Sequence, residues 1–503
     1  MDTLLNEELF ESSSVKGYQV YKRRWLMLAL FSMVTMSQTL FWLTFSPISG
    51  FARGYFHLCD GFDTNATADA DSCARVNGKG QGYIDLMLMW GGITYVLSLP
   101  AFLVLTSNQG LRSLMLFMSA TLCAACSLRI IPLKLLDEYD IYVVNVAQIL
   151  IALTGPIAMS TPPKLSATWF PPTERTLSTA LACSGGLLGI ALGFPMSTYI
   201  VSEVSDVNHL LWIHFLISAT SLLLILAFFS DMPPLPPSAT APSTFGKSAP
   251  DLLRRERAGS TIKSRKSDVW IALTDVNFAL LSFGGGMCIG VFNGWSASLD
   301  SILVFFTTRE CAWLGMATTL SFVIGNLMTG QTSSEKAWLR RIQKQILVFF
   351  VFAVLLFFAA MTVSMNFLSH APLLPRTFDS VCLSVVFAGF FLGCANPSLY
   401  EISVEMTYPI SETVSAGILT FWIQSGTLSV LVVKRFVAQD AMNAVMTSAA
   451  LLGLVCLFCS KARYGRLEEE DRERERSKLS TFNGVYIGDG SGSYGSFGPA
   501  GRM

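Results

Sequence analysis

A carboxylate inside an apolar run is the first chemistry this sequence offers. Glu401 sits in NPSLYEISVEM, at the end of a stretch long and apolar enough to cross a bilayer. A carboxyl held away from bulk water can take a proton on one side of a membrane and release it on the other. Asp85 and Asp300 are weaker candidates for the same task, because they fall at the ends of apolar runs, where water reaches them. A second set of polar and aromatic residues lies deeper in such runs. It comprises Ser37, Gln38, Thr39 and Trp42; Asn145 and Gln148; Asn293 and Trp295; Asn396; and Trp422, Gln424 and Ser425. Without water, each unsatisfied polar group in hydrocarbon is costly, so these residues must face a bundle interior or a cavity. They recur in both halves of the chain, which predicts a shared central cavity. Trp42, Trp295 and Trp422 would supply aromatic surface for a flat solute, and Asn293 and Gln424 directional donors and acceptors.

The elements that position these residues follow from composition. The chain has 503 residues, 52% hydrophobic and 14% charged, with a mean hydropathy of +0.50. A soluble domain carries about 25% charged residues, so this is a membrane composition. Apolar windows of about 20 residues, the length of a spanning helix, lie at 25–48, 82–106, 111–132, 141–162, 176–201 and 209–230. A second six lie at 275–299, 312–331, 345–368, 378–400, 412–433 and 440–460. The pattern predicts an all-α membrane protein with twelve transmembrane helices in two six-helix bundles, 25–230 and 269–460. A short segment, 1–24, precedes them, a polar linker, 231–268, joins them, and a tail, 461–503, follows.

Lys22, Arg23 and Arg24, the seven basic residues of the linker, and Lys336, Arg340, Arg341 and Lys344 all flank one end of these windows. The positive-inside rule places that end, both termini and the linker in the cytosol. The loop after the first window then faces a lumen or the outside. It carries the sequon Asn65-Ala66-Thr67, and Cys59 and Cys73, which can pair in an oxidising compartment although spacing alone fixes no connectivity. The linker opens DMPPLPPS and reads as mobile. The run Glu468–Arg476 reads as a solvated helix. Two Tyr-x-x-bulky tetrapeptides, Tyr464 to Leu467 and Tyr494 to Phe497, are candidate signals for sorting adaptors, the second the stronger.

A formal net charge of zero suggests no nucleic-acid partner. No metalloprotease, P-loop or dinucleotide motif is present, so neither an enzyme nor a cofactor or metal is predicted. The four histidines read as interfacial polar residues. The partners implied are a small-molecule solute, protons and the bilayer, with the protein acting as a monomer. Gly185, Gly189 and Gly193 predict close helix packing. The run GGGMCIGVFNG, Gly284 to Gly294, predicts a hinge beside a midplane site.

Five stretches carry a family resemblance: YKRRWLMLALFSMVTMSQTLFWLTFSPI, KLSATWFPPTERTLSTAL, FFSDMPPLPPS, IGVFNGWSASLDSIL and NPSLYEISVEMTYPISE. Together they resemble the major facilitator superfamily and, within it, solute carrier family 49, over about residues 20–460. The resemblance implies secondary transport of a small organic solute. In one branch this is a proton-coupled vitamin such as pyridoxine at lysosomal membranes, and in the receptor-related branch choline, ethanolamine or haem at the plasma membrane. The ligand-lining tryptophan and glutamine of the latter branch fall on Trp42 and Gln424. Its other two ligand positions, an aromatic and a glutamine, fall on Asn293 and Leu187. An aromatic cage for a quaternary ammonium is therefore incomplete, which favours a neutral or weakly basic solute. The superfamily loop motif falls on SNQGLR, Ser107 to Arg112, which lacks its usual aspartate.

Overall fold

The computed structural model describes residues 19–56, 58, 81–130, 140–238, 266–297, 308–335, 342–364, 378–434, 436, 439–472 and 475. All regular structure among them is helical. The first six long helices are α1 (Arg23–Leu43), α2 (Gln81–Asn108), α3 (Leu111–Ile130), α4 (Asp140–Leu153), α5 (Arg175–Ile200) and α6 (Asp206–Phe228). The second six are α7 (Val276–Ser296), α8 (Thr308–Glu335), α9 (Gln343–Ser364), α10 (Phe378–Thr407), α11 (Glu412–Val433) and α12 (Gln439–Cys459). The buried apolar side chains separate into two main cores. Met27, Phe31, Met115, Ile151 and Phe229 belong to one, and Phe278, Trp295, Val354, Leu392 and Leu457 to the other. Large apolar residues such as Leu97, Leu223, Phe349 and Phe458 point outward, as a lipid-facing surface requires. The architecture is thus the predicted one of twelve helices in two bundles.

Proline sets several departures from the predicted boundaries. α1 stops at Leu43 rather than 48, since Pro47 disfavours a helical conformation at Ser46. The chain then restarts as a short helix, Ser49–Tyr55. After α4 the path continues in two short helices, Gly155–Ser160 and Pro162–Trp169, separated where Pro162 and Pro163 lack N–H donors. α10 runs past the predicted 400 to Thr407 and ends where Tyr408 precedes Pro409. Its extra turns place Glu401 and Glu405 one turn apart on one face.

The linker is not mobile from its first residue. Pro233, Pro236, Pro237 and Ser238 are buried, and Asp231 accepts from Arg112 N–H at 3.1 Å. Proline's fixed φ reduces the entropy lost when such a segment docks.

The glycine run in α7 is a packing face and not a hinge. α7 is continuous from its cap at Asp275, whose carboxylate accepts from Asn277 and Phe278 N–H. A Cβ at Gly286 would lie 2.6 Å from Trp422 Cβ, and one at Gly290 2.1 Å from the Ile423 carbonyl oxygen. A Cβ at Gly294 would lie 2.7 Å from Val430 Cβ, so α11 presses directly on the α7 backbone. Gly185 and Gly189 of α5 meet Ser32 and Met36 of α1 in the same way. Gly290→Ala is therefore expected to cost about 1–3 kcal/mol through overpacking. Gly193→Ala, whose Cβ meets nothing nearer than 3.5 Å, should be neutral or stabilising. Thermal unfolding in detergent checks the pair; equal melting temperatures would refute the packing account.

Candidate functional site

Between the two bundles lies a cavity of about 180 Å³. Thr35 and Trp42 reach it from α1, Met159 from the α4 extension, and Cys183 and Leu187 from α5. Asn293 comes from α7, Asn396 and Tyr400 from α10, and Gln424 from α11. Among the described residues no Asp, Glu, Lys, Arg or His lines it. Trp42, Asn293 and Gln424 are thus brought to one cavity.

Trp295 and Trp422 are not brought there. Trp295 is fully buried in the C-terminal core. Trp422 packs edge-on against Phe283 with ring centroids 4.9 Å apart, over the Gly286 backbone. Residues two apart on a helix point to different faces. A wall that contains Asn293 and Gln424 therefore leaves Trp295 and Trp422 facing elsewhere.

Polar side chains join the bundles around the cavity. Gln424 Nε2 lies 2.9 Å from Met159 Sδ, and Tyr400 donates its hydroxyl to Met159 O at 3.2 Å. Asn396 Nδ2 donates to Asn326 Oδ1 at 3.1 Å, and Asn326 Nδ2 donates to Ala180 O and Ser184 Oγ, both at 2.7 Å. Tyr95 and Thr420 share a further hydroxyl contact. Sequence reasoning misses Asn326 and Tyr95. The available signal was a lone amide within the apolar run of α8, the same signal that marks Asn396.

Glu401 lies outside this cavity, at the end of the bundles flanked by basic residues. A small cavity of about 20 Å³ there is lined by Arg175, Glu401, Glu405, Tyr464, Arg466 and Glu470 among others. Arg175 Nη1 of α5 bonds Glu470 Oε1 of the tail at 2.8 Å, and both side chains are buried. Arg175 Nη2 donates to Ser238 Oγ at the start of the linker. Thr179 Oγ1 reaches Glu401 Oε1 at 3.4 Å. Glu405 Oε2 accepts from Arg466 and Leu467 N–H at 3.1 and 3.0 Å, where the tail helix, residues 465–472, begins. A carboxylate at a helix N-terminus meets unpaired N–H groups and the positive end of the dipole.

This docking corrects two readings of the tail. The helix is not wholly solvated, because Arg466 and Glu470 lie against the bundles. Tyr464 is not presented to an adaptor either, since its hydroxyl accepts from Lys344 N–H at 3.3 Å and Leu467 is tied to Glu405. His214 is likewise no interfacial residue: it is fully buried, with Nδ1 3.4 Å from Thr44 Oγ1. Asp85 is half-buried on α2, in the field of Arg53, far from Glu401 in the fold. Asn65, Cys59, Cys73, Asp300, Tyr494 and Phe497 lie outside the described residues. Among the described residues no group of three or more His, Cys, Asp or Glu is placed to hold a metal ion.

Two helical bundles around a largely apolar cavity with a few convergent polar side chains, and with apolar outer faces, define a multi-pass membrane carrier. The Major Facilitator Superfamily profile matches residues 31–431, and the chain belongs to that family of secondary transporters. It is 28% identical over 477 residues to the solute carrier family 49 member 4 homolog of Xenopus laevis, covering 89% of this chain and 93% of that one. It is 23% identical over 418 residues to the choline/ethanolamine transporter FLVCR2 of Homo sapiens, covering 81% and 70%. Among solved structures, the E. coli fucose:proton symporter FucP superposes with a TM-score of 0.57 at 12% identity, over 88% of this chain and 100% of that chain. That likeness is one of fold.

Proposed function

We propose that the protein carries a small neutral or weakly basic organic solute through the central cavity by alternating access, coupled to protons at Glu401. A vitamin such as pyridoxine, exported from lysosomes, is the cargo this reading favours. The observation that carries it is the lining: donors and acceptors from both bundles, the indole of Trp42, and, among the described residues, no charged side chain. An ionised solute would enter such a site without a counter-charge, whereas a neutral ring bearing hydroxyls finds partners. The lysosomal assignment and the vitamin rest on the family resemblance.

A second reading, a facilitator for choline-like or ethanolamine-like amines at the plasma membrane, draws on the aromatic residues Trp42, Phe292, Phe322 and Tyr400 around the same cavity. A scaffold or receptor without transport has no use for a cavity built from both bundles. The deciding experiment is uptake of tritiated pyridoxine and tritiated choline by cells carrying the protein redirected to the plasma membrane, at acid and neutral external pH. Pyridoxine uptake that rises in acid is the expected result. Choline uptake alone would replace the cargo, equal uptake at both pH values would remove the proton, and no uptake of either would overturn both readings.

A further inference from the structure

Arg129 is fully buried in the N-terminal bundle, and its partners among the described residues include no carboxylate. A guanidinium in hydrocarbon is costly, and here its two terminal nitrogens are hydrogen-bonded while Nε, among the described residues, has no hydrogen-bond partner. Arg129 Nη2 donates to Phe41 O at 3.1 Å and to Gln148 Oε1, and Nη1 donates to Thr44 Oγ1 at 3.3 Å. Gln148 in turn donates Nε2 to Trp42 O at 2.9 Å. The guanidinium also lies over the Phe45 ring, 5.2 Å from its centroid.

Phe41 and Trp42 belong to the last turn of α1, which ends at Leu43. The last four carbonyls of a helix have no partner within it, and inside a bilayer no water replaces that partner. They also carry the negative end of the helix dipole, which suits a cation. The Thr44 hydroxyl donates to Phe41 O at 2.8 Å, and α3 and α4 complete this cap from outside α1. The Trp42 indole is fixed separately: Nε1 donates to Leu88 O at 3.3 Å, and a Cβ at Gly91 would lie 2.6 Å from Nε1. Backbone and ring of this one residue are thus held by different neighbours.

We propose that Arg129 and Gln148 are positioning residues for the solute site, holding the final turn of α1 so that Trp42 presents its ring to the cavity. The proposal rests on the reading of Trp42 as a wall of that site. It makes the buried cation part of the transport machinery through Trp42 and without contact to the solute. It also assigns Gly91 a role in solute selection, since any side chain there must displace the indole.

The test separates ring position from transport. In the full chain labelled with fluorotryptophan, the Trp42 and Trp295 fluorine resonances are assigned by their loss in Trp42→Phe and Trp295→Phe. Gln148→Leu is expected to shift the Trp42 resonance and leave that of Trp295 in place. It should also raise KM for tritiated pyridoxine or choline roughly fivefold to tenfold at a retained maximal rate, the worth of about one hydrogen bond. Arg129→Lys, which keeps the charge and is the less disruptive change, should shift the same resonance in part and raise KM less. An unmoved Trp42 resonance in both variants would overturn the proposal. So would a moved resonance with KM unchanged, provided that Trp42→Ala impairs uptake. If Trp42→Ala itself transports normally while Gln148→Leu still moves the resonance, the solute-site reading fails and the cap on α1 stands.

Discussion

Trp42→Ala, Asn293→Ala and Gln424→Ala are each expected to cut uptake about tenfold to hundredfold, the effect of losing about 1.5–3 kcal/mol at the solute. The three side chains come from α1, α7 and α11, and they meet only in the central cavity. A site that hydrogen-bonds its cargo leaves buried polar atoms unpaired when either partner is removed, which is why a single amide can weigh so much. Folding is the competing explanation for a loss of uptake. Among the described residues the Asn293 side chain has no hydrogen-bond partner that would have to be replaced, so its substitution separates the two causes best. Trp295→Phe is the control, since Trp295 lies in the core and outside the cavity. Membrane abundance and thermal stability measured beside uptake complete the comparison. Normal uptake by all three alanine variants would move the site elsewhere.

Glu401→Gln is expected to keep solute binding and abolish the pH dependence of uptake. The charges at the closed end explain the direction. Glu401, Glu405, Glu470 and Glu412 face Arg175 and Arg466, with Lys164 behind Glu412. Lys164 also faces Asp231, so with every group ionised the carboxylates outnumber the cations. Uptake of a proton lowers that excess, so acid favours the closed cluster and its loss favours opening into water. Glutamine imitates the protonated form at every pH and should fix the cluster in that condition. Uptake at acid and neutral external pH, with solute binding measured in parallel, reads both effects. A Glu401→Gln variant that remains fully driven by protons would assign the coupling to another carboxylate, with Glu405 next in the same cluster.

Much of the fold was legible because a bilayer imposes length. Twelve windows of apolar residues translate almost directly into α1 to α12, and the larger errors fall near Pro47, Pro156 and Pro409. The cavity was legible in part for the same reason. An amide within a spanning helix must point at something polar, and this marks Asn293 and Gln424. Residue type without helical phase misassigned Trp295 and Trp422, which stand two positions from those amides. The glycines of α7 announced a small surface, yet nothing local says whether such a surface bends or receives a neighbour; the Ile423 carbonyl decides it. The ion pair of Arg175 with Glu470 joins positions 295 residues apart, and no pattern within either segment announces it.

The docked tail also gives the carrier a thermodynamic handle remote from its cargo. Residues 465–472 are tethered to the second bundle through Glu405 and grip the first through the pair Arg175 with Glu470. Any aqueous partner that seizes this segment must take Glu470 from Arg175, so its affinity depends on which way the bundles lean. Linkage makes that dependence mutual: a ligand in the central cavity that prefers one leaning changes the affinity of the tail for its partner by the same factor that the partner changes the affinity of the cavity.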